Sequence, residues 1–252
     1  MCQLMERVNT VAASDAPLLV TGEAGTGKQL IARAVHERSR REGRRLLAID
    51  CESFSVSCPM PFPASLLDAT HGGSLLLDDV GDLSPAAQDE LLRILHEDTG
   101  DVRVIAATRR DLEEMTEAGL FLKDLYRRLN AISIDVPPLR ARRGDLPLLT
   151  QYFSNKFHRP GTRPTRMSSA AWNALSAFGF PGNVRQLGRA IEHATVLAGG
   201  GEIELRHLPA EIGAALDEIE ISVPTLQTLE VARPLSASLS MPQARFQRLM
   251  RA

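Results

Sequence analysis

Gly22-Glu23-Ala24-Gly25-Thr26-Gly27-Lys28 decides the fold of this chain, because it follows the apolar run Leu18-Leu19-Val20 and opens the helical pattern Leu30-Ile31-Ala32-Arg33-Ala34-Val35. A strand, a glycine-rich loop and a helix in that order build a phosphate cradle. Glycines let backbone N–H groups turn inward around an anion, the helix N-terminus adds partial positive charge, and a lysine reaches the outer phosphates. The stretch therefore predicts a nucleoside triphosphate, with Lys28 on its phosphates. The next residue, Gln29, stands where the general motif has Ser or Thr for magnesium, which leaves hydrolysis open.

A second half-site lies downstream. The apolar run Leu75-Leu76-Leu77 ends in Asp78-Asp79, the place where a protein of this kind puts one carboxylate for Mg2+ and one to orient the attacking water. Asp78 is the expected metal partner and Asp79 the expected catalytic carboxylate. Strands are expected at Leu18 to Val20, Leu46-Leu47-Ala48-Ile49, Ser74 to Leu77, Val102 to Ala107 and Ala131 to Val136, with helices from the cradle to about Arg41 and over residues 85–96. Short continuous apolar strands between helices predict an α/β fold with a parallel sheet covered on both faces. Beyond Pro137-Pro138 the pattern is helical only, over residues 145–157, 168–178 and 183–198, so a small helical lid is expected.

The chain has 252 residues, 44% apolar and 24% charged, which suits a soluble globular core with a smaller satellite. Neither a membrane-spanning run nor a leader is read at its start, so the expected compartment is cytoplasmic, with no membrane partner. Cys2, Cys51 and Cys58 fit no disulfide framework or zinc spacing. A net charge of −2 confines any basic surface to a local patch, such as Arg233, Arg245, Arg248 and Arg251 in the tail.

Taken in order, several blocks resemble the AAA+ domain of the bacterial enhancer-binding proteins, the activators of sigma-54 RNA polymerase. They are the glycine-rich loop, Gly72-Gly73-Ser74-Leu75-Leu76-Leu77-Asp78-Asp79-Val80-Gly81-Asp82-Leu83, Val102 to Leu112, Asp124-Leu125-Tyr126-Arg127-Arg128-Leu129-Asn130, Pro137-Pro138-Leu139-Arg140 and Phe180-Pro181-Gly182-Asn183-Val184-Arg185-Gln186-Leu187. The resemblance implies a P-loop AAA+ core over 1–137, a helical lid over 138–212, a linker over 213–233 and a truncated helix-turn-helix tail over 234–252. It implies a ring of like or mixed subunits binding ATP and Mg2+ at each boundary. Gly22, Glu23, Ala24, Gly25, Thr26, Gly27, Lys28, Gln29, Asp78 and Arg185 would bind nucleotide, with Arg185 as the lid's sensor of the γ-phosphate. Arg128 would be an arginine finger reaching the neighbouring subunit's site.

Departures from the family pattern qualify that picture. The interval from Asp50 to Pro63 carries no Gly-Ala-Phe-Thr-Gly-Ala loop, the element that grips sigma-54 in the family, and the hairpin before the sensor strand is cut to Glu97-Asp98-Thr99-Gly100-Asp101. Asp79 stands where the family has Glu, Asp50 and Arg109 where it has Asn, and Leu122 where it has Arg. The shorter Asp79 and a cationic Arg109 predict binding with slow or absent hydrolysis. The expectation is an ATP-binding transcriptional regulator that does not remodel sigma-54 polymerase directly and works through RNA polymerase or a full-length activator. DNA contact would come through the basic tail. An active ATPase on another protein partner, or a non-catalytic scaffold in mixed rings, are the alternatives.

Overall fold

The computed structural model describes residues 2–52, 70–96, 101–158 and 166–214. They fall into two compact units divided between Pro138 and Leu139. In the first, the apolar runs form β1 (Leu18–Thr21), β2 (Leu46–Asp50), β3 (Ser74–Asp78), β4 (Arg103–Thr108) and β5 (Ile132–Asp135). They pair in the order β2-β3-β4-β1-β5, and every pairing is parallel. The helices are α1 (Cys2–Ala12), α2 (Lys28–Glu37), α3 (Pro85–His96), α4 (Leu112–Glu117) and α5 (Lys123–Leu129).

Alternate strand residues feed two cores, as a parallel sheet covered on both faces requires. Leu18, Val20, Leu76, Ile105 and Ala107 pack under Leu4, Val8 and Ala12 of α1 and Ile31, Ala34 and Val35 of α2. Leu19, Leu75, Leu77, Val104 and Ala106 pack under Ala87, Leu91 and Ile94 of α3 and Leu125 and Leu129 of α5. The segment before β3 approaches β2 so closely that a Cβ on Gly73 would lie 2.1 Å from the Arg45 carbonyl oxygen, so only glycine fits there. Helix α2 stops at Glu37, short of the expected Arg41. The reason is local: Ser39 Oγ donates to the His36 carbonyl and accepts from the Arg41 N–H, offering the backbone an alternative to another helical turn.

The second unit holds α6 (Leu146–Phe157), α7 (Ser169–Ala177) and α8 (Asn183–Ala198), where the apolar periodicity places them. Ser168 caps α7 by accepting from the Ala171 N–H at 3.2 Å, and Gly199 in the left-handed region ends α8. Gly188 of α8 lets the Phe153 ring of α6 come within 3.0 Å of where a Cβ would stand. Asn183, buried with a φ of 53°, accepts the Leu139 N–H on its side-chain oxygen at 2.8 Å and so ties the start of this unit to α8. The expected linker from residue 215 onward and the expected helix-turn-helix tail lie outside the described residues, as do residues 53–69 and 97–100 of the two shortened segments.

At the amino ends of the strands a polar network is buried. Arg103, 1% exposed, donates to the carbonyls of Val11 and Ala12, so it caps the C-terminus of α1. Arg41 reaches Asp15 at 3.0 Å, the Gly73 carbonyl at 3.1 Å and the Asp101 carboxylate and carbonyl. His36 bridges Ser74 Oγ at 2.8 Å and the Arg44 carbonyl at 3.1 Å. Burial pushes the imidazole below its ordinary value of 6.5; Arg103 and Arg41 push the same way, while the Arg44 carbonyl and Glu37 oppose them. The folded state thus prefers neutral His36, and the unfolded chain takes the proton first. Stability is expected to be fully present above pH 6.5 and to fall as pH drops through the folded-state value, a decline that His36→Asn flattens in urea titrations at pH 7 and pH 5.

Candidate functional site

The strand order brings the carboxyl ends of β1, β3 and β4 together, and the chemistry gathers on that edge. After β1 the chain passes through Gly22, Gly25 and Gly27 at φ values of 143°, 76° and 100°. At Gly22 a Cβ would sit 2.6 Å from the Val136 carbonyl oxygen, so both conformation and space exclude a side chain. Ala24 and Gly25 form the outer turn, and Thr26 Oγ1 closes it by donating to the Glu23 carbonyl at 2.8 Å. Gly27 caps α2 with no side chain across the helix end, which leaves the first-turn N–H groups facing the cradle.

Lys28 opens α2 and is 8% exposed; its Nζ donates to the carbonyls of Gly22 at 2.9 Å and Glu23 at 3.1 Å. That is where a lysine must sit to meet an anion held by the loop. Gln29 Nε2 donates to Asp78 Oδ2 in a short contact. Asp78 is pushed above the ordinary carboxylate range by burial and by the charges of Asp79 and Asp50, while the Gln29 bond and Lys28 pull it down.

Asp79 follows with φ 50° and ψ 52°, in the left-handed region. Short polar side chains tolerate that region better than long ones, so the position suits Asp. Its Oδ1 accepts the Arg109 N–H at 3.2 Å, and Arg109 Nε lies 4.0 Å from its Oδ2. The Arg109 guanidinium also meets Asp82 at 3.3 Å and Glu52 at 3.8 Å, and Arg110 pairs with Asp82 from the other side. These carboxylates, Asp82 foremost, raise the Arg109 pKa. Asp82 and Glu52 escaped the reading of the sequence; only the spacing from Asp79 to Asp82 signalled that a further carboxylate faced the sensor strand.

The donor set keeps the carboxylate that a P-loop Mg2+ asks for, at Asp78, and puts the Gln29 amide where the general site has a hydroxyl. Such an ion takes oxygen ligands in tight octahedral geometry, from a hydroxyl after the lysine and a nearby carboxylate. Position 29 instead turns an amide N–H to Asp78, and Asp79 faces a guanidinium. Among the described residues no three of His, Cys, Asp and Glu gather in a way that would hold a metal.

Arg128 donates to the Leu95 carbonyl and meets His96 Nδ1 at 3.0 Å, so it caps the C-terminus of α3. Arg185 is exposed on the first turn of α8 in the second unit. Leu122 is held by its N–H donating to Gln88 Oε1 at 2.9 Å, while Gln88 Nε2 donates to the carbonyls of Leu83 and Leu120. Buried Gln88 thus fixes the approach to α5, a role its place in an amphipathic helix did not announce. Cys51 is buried, and its surroundings push the thiol pKa up, which leaves it inert.

Known proteins resemble the chain along both units. The family model of the sigma-54 interaction domain matches residues 1–139, and that of the AAA+ ATPase lid domain matches residues 140–220. Transcriptional regulatory protein ZraR of Klebsiella oxytoca is 38% identical over 240 residues, covering 84% of this chain and 54% of that protein. The Nif-specific regulatory protein of Sinorhizobium fredii is 36% identical over 222 residues, 78% of this chain and 37% of its own length. The crystal structure of NtrX from Brucella abortus in complex with ATP superimposes with a TM-score of 0.77 at 30% identity, covering 90% of this chain and 55% of that one. The chain spans about half the length of the ZraR relatives it matches. Among the described residues no helix is long and apolar enough to cross a membrane.

The cradle's geometry is testable at its tightest point. Gly22→Ala forces a Cβ against the Val136 carbonyl and a disfavoured φ, and is expected to cost about 1–3 kcal/mol. Thermal melts monitored by circular dichroism would show a fall of several degrees; an unchanged melting temperature would mean that the loop is not held as described.

Proposed function

The chain belongs to the sigma-54 interaction domain family, and on that premise we propose that it is a regulatory AAA+ subunit that binds ATP at residues 22–28 and hydrolyses it slowly or not at all. The observation that carries this reading is the pairing of Asp79 with Arg109. A carboxylate that must hold and deprotonate a water needs its lone pairs directed at that water. Here one oxygen accepts a backbone N–H and the other lies beside a guanidinium. Binding depends on a different set of groups, the loop amides and Lys28, and the positive φ of Gly22, Gly25 and Gly27 and the position of Lys28 beside the loop support that assignment. The ATP in the related NtrX structure supports nucleotide binding by this chain.

In this reading residues 1–137 are the nucleotide-binding core, 138–212 the lid, 213–233 a linker and 234–252 a DNA-contacting tail. Lys28 holds the phosphates, Arg185 reports the γ-phosphate from the lid, and Arg128 acts across a subunit boundary after leaving the Leu95 carbonyl. Assembly with itself or with a full-length activator supplies the ring. The sequence between Asp50 and Ser74 lacks Gly-Ala-Phe-Thr-Gly-Ala, which supports regulation of transcription without direct remodelling of sigma-54 polymerase.

Light scattering with and without ATP, run beside an open-complex assay with sigma-54 polymerase, tests the proposal. The expected result is ATP-dependent assembly, lost in Lys28→Ala, with no open complexes formed. Open complexes driven by this chain would refute the regulatory reading, and assembly indifferent to both ATP and Lys28→Ala would refute the nucleotide reading.

A further inference from the structure

We infer that the turn after α2 binds the phosphate backbone of duplex nucleic acid through Arg38, Arg40, Arg44 and Arg45. All four side chains are exposed. Residues 37–45 set five arginines against Glu37 and Glu42, in a chain whose net charge is −2, so the turn is a concentrated basic spot on an otherwise acidic molecule. Arg41 of the same turn is engaged by Asp15 and Asp101. Among the described residues no carboxylate lies at ion-pair distance from Arg40, Arg44 or Arg45.

A run of arginines is ordinarily a solvated face or a helix C-cap, and Arg38 does reach back to the Ala34 carbonyl at 3.3 Å. The other three lie past the helix end, on backbone that is held firmly. The Ser39 N–H donates to the His36 carbonyl at 3.0 Å, the Glu42 N–H to Ser39 at 3.1 Å and the Arg44 N–H to Arg41 at 2.9 Å, so residues 36–44 run as successive tight turns. Buried His36 meets the Arg44 carbonyl at 3.1 Å, and the Ser74 N–H donates to the Arg45 carbonyl at 2.9 Å. Backbone ordered beforehand loses little freedom on binding. Guanidinium forks match phosphate oxygens in pairs. The turn stands at the amino edge of the sheet, beside the start of β3, so a nucleotide in the cradle at the carboxyl edge is out of its reach. A protein partner would want an apolar or aromatic anchor, and residues 36–45 contain none. A single strand would want an aromatic ring for its bases. Duplex phosphates need neither.

Fluorescence anisotropy of a labelled duplex of arbitrary sequence, titrated with the full chain without nucleotide at several salt concentrations, tests this. The triple variant Arg40→Gln, Arg44→Gln, Arg45→Gln should bind about tenfold or more weakly at low salt, with a log affinity against log salt slope shallower by about 2–3. The corresponding lysine variant keeps the charges and should keep most of the slope. A tail variant, Arg245→Gln, Arg248→Gln, Arg251→Gln, should retain binding that disappears when the turn variant is added to it. Equal affinity and slope in wild type and the glutamine variant overturn the inference, as does a lysine variant that behaves like the glutamine one. Tighter binding of a labelled poly-glutamate peptide than of the duplex, lost in the turn variant, overturns it in favour of an acidic protein partner.

Discussion

Two adjacent carboxylates at the end of β3 need donors, and the arrangement of the site follows from how they find them. Asp78 is half-buried beside Asp79 and Asp50, and burial together with those charges raises the cost of ionising it. Gln29 from α2 donates to the first, and the backbone and guanidinium of Arg109 from the end of β4 serve the second. Both donors come from positions where this chain departs from the residues that would serve a metal and a catalytic water. The phosphate cradle itself is untouched by these changes, because its groups are backbone amides and Lys28. In the proposed reading, binding and turnover thus depend on separable sets of atoms.

The sheet makes that separation possible. With β3 beside β4 and β4 beside β1, the cradle, the paired carboxylates and the sensor position stand next to each other although they are far apart in sequence. Parallel pairing sends all the strands' carboxyl ends to one edge, where functional groups of such sheets gather. The opposite edge holds the buried cluster of His36, Arg41 and Arg103, which fixes α1 and the loop after α2. Chemistry and anchoring are placed at opposite ends of the same strands.

Much of this was legible in the residues. The glycines and Lys28 predicted their own geometry, since few backbones place such residues between a strand and a helix in any other way. Helix α3 and the three lid helices followed from apolar spacing, and Ser168 and Gly199 marked their ends as capping chemistry requires. Less legible was whatever depended on a partner distant in sequence. That Arg109 would hold Asp79 and Asp82 depends on the pairing of β3 with β4 and on the turn that places Asp79 in the left-handed region. The early end of α2 came from one hydroxyl competing for a carbonyl. The resemblance implies an arginine finger at Arg128, and only the fold shows its donation to the Leu95 carbonyl of α3.

A quenched single-turnover reaction, with protein in excess over labelled ATP and Mg2+ present, tests the central claim that the Asp79–Arg109 pairing divides binding from turnover. The account predicts that the wild-type chain returns the bound label as intact ATP, whereas Asp79→Glu with Arg109→Asn converts it to ADP. Rapid conversion by the wild type, or intact ATP from both proteins, would contradict it.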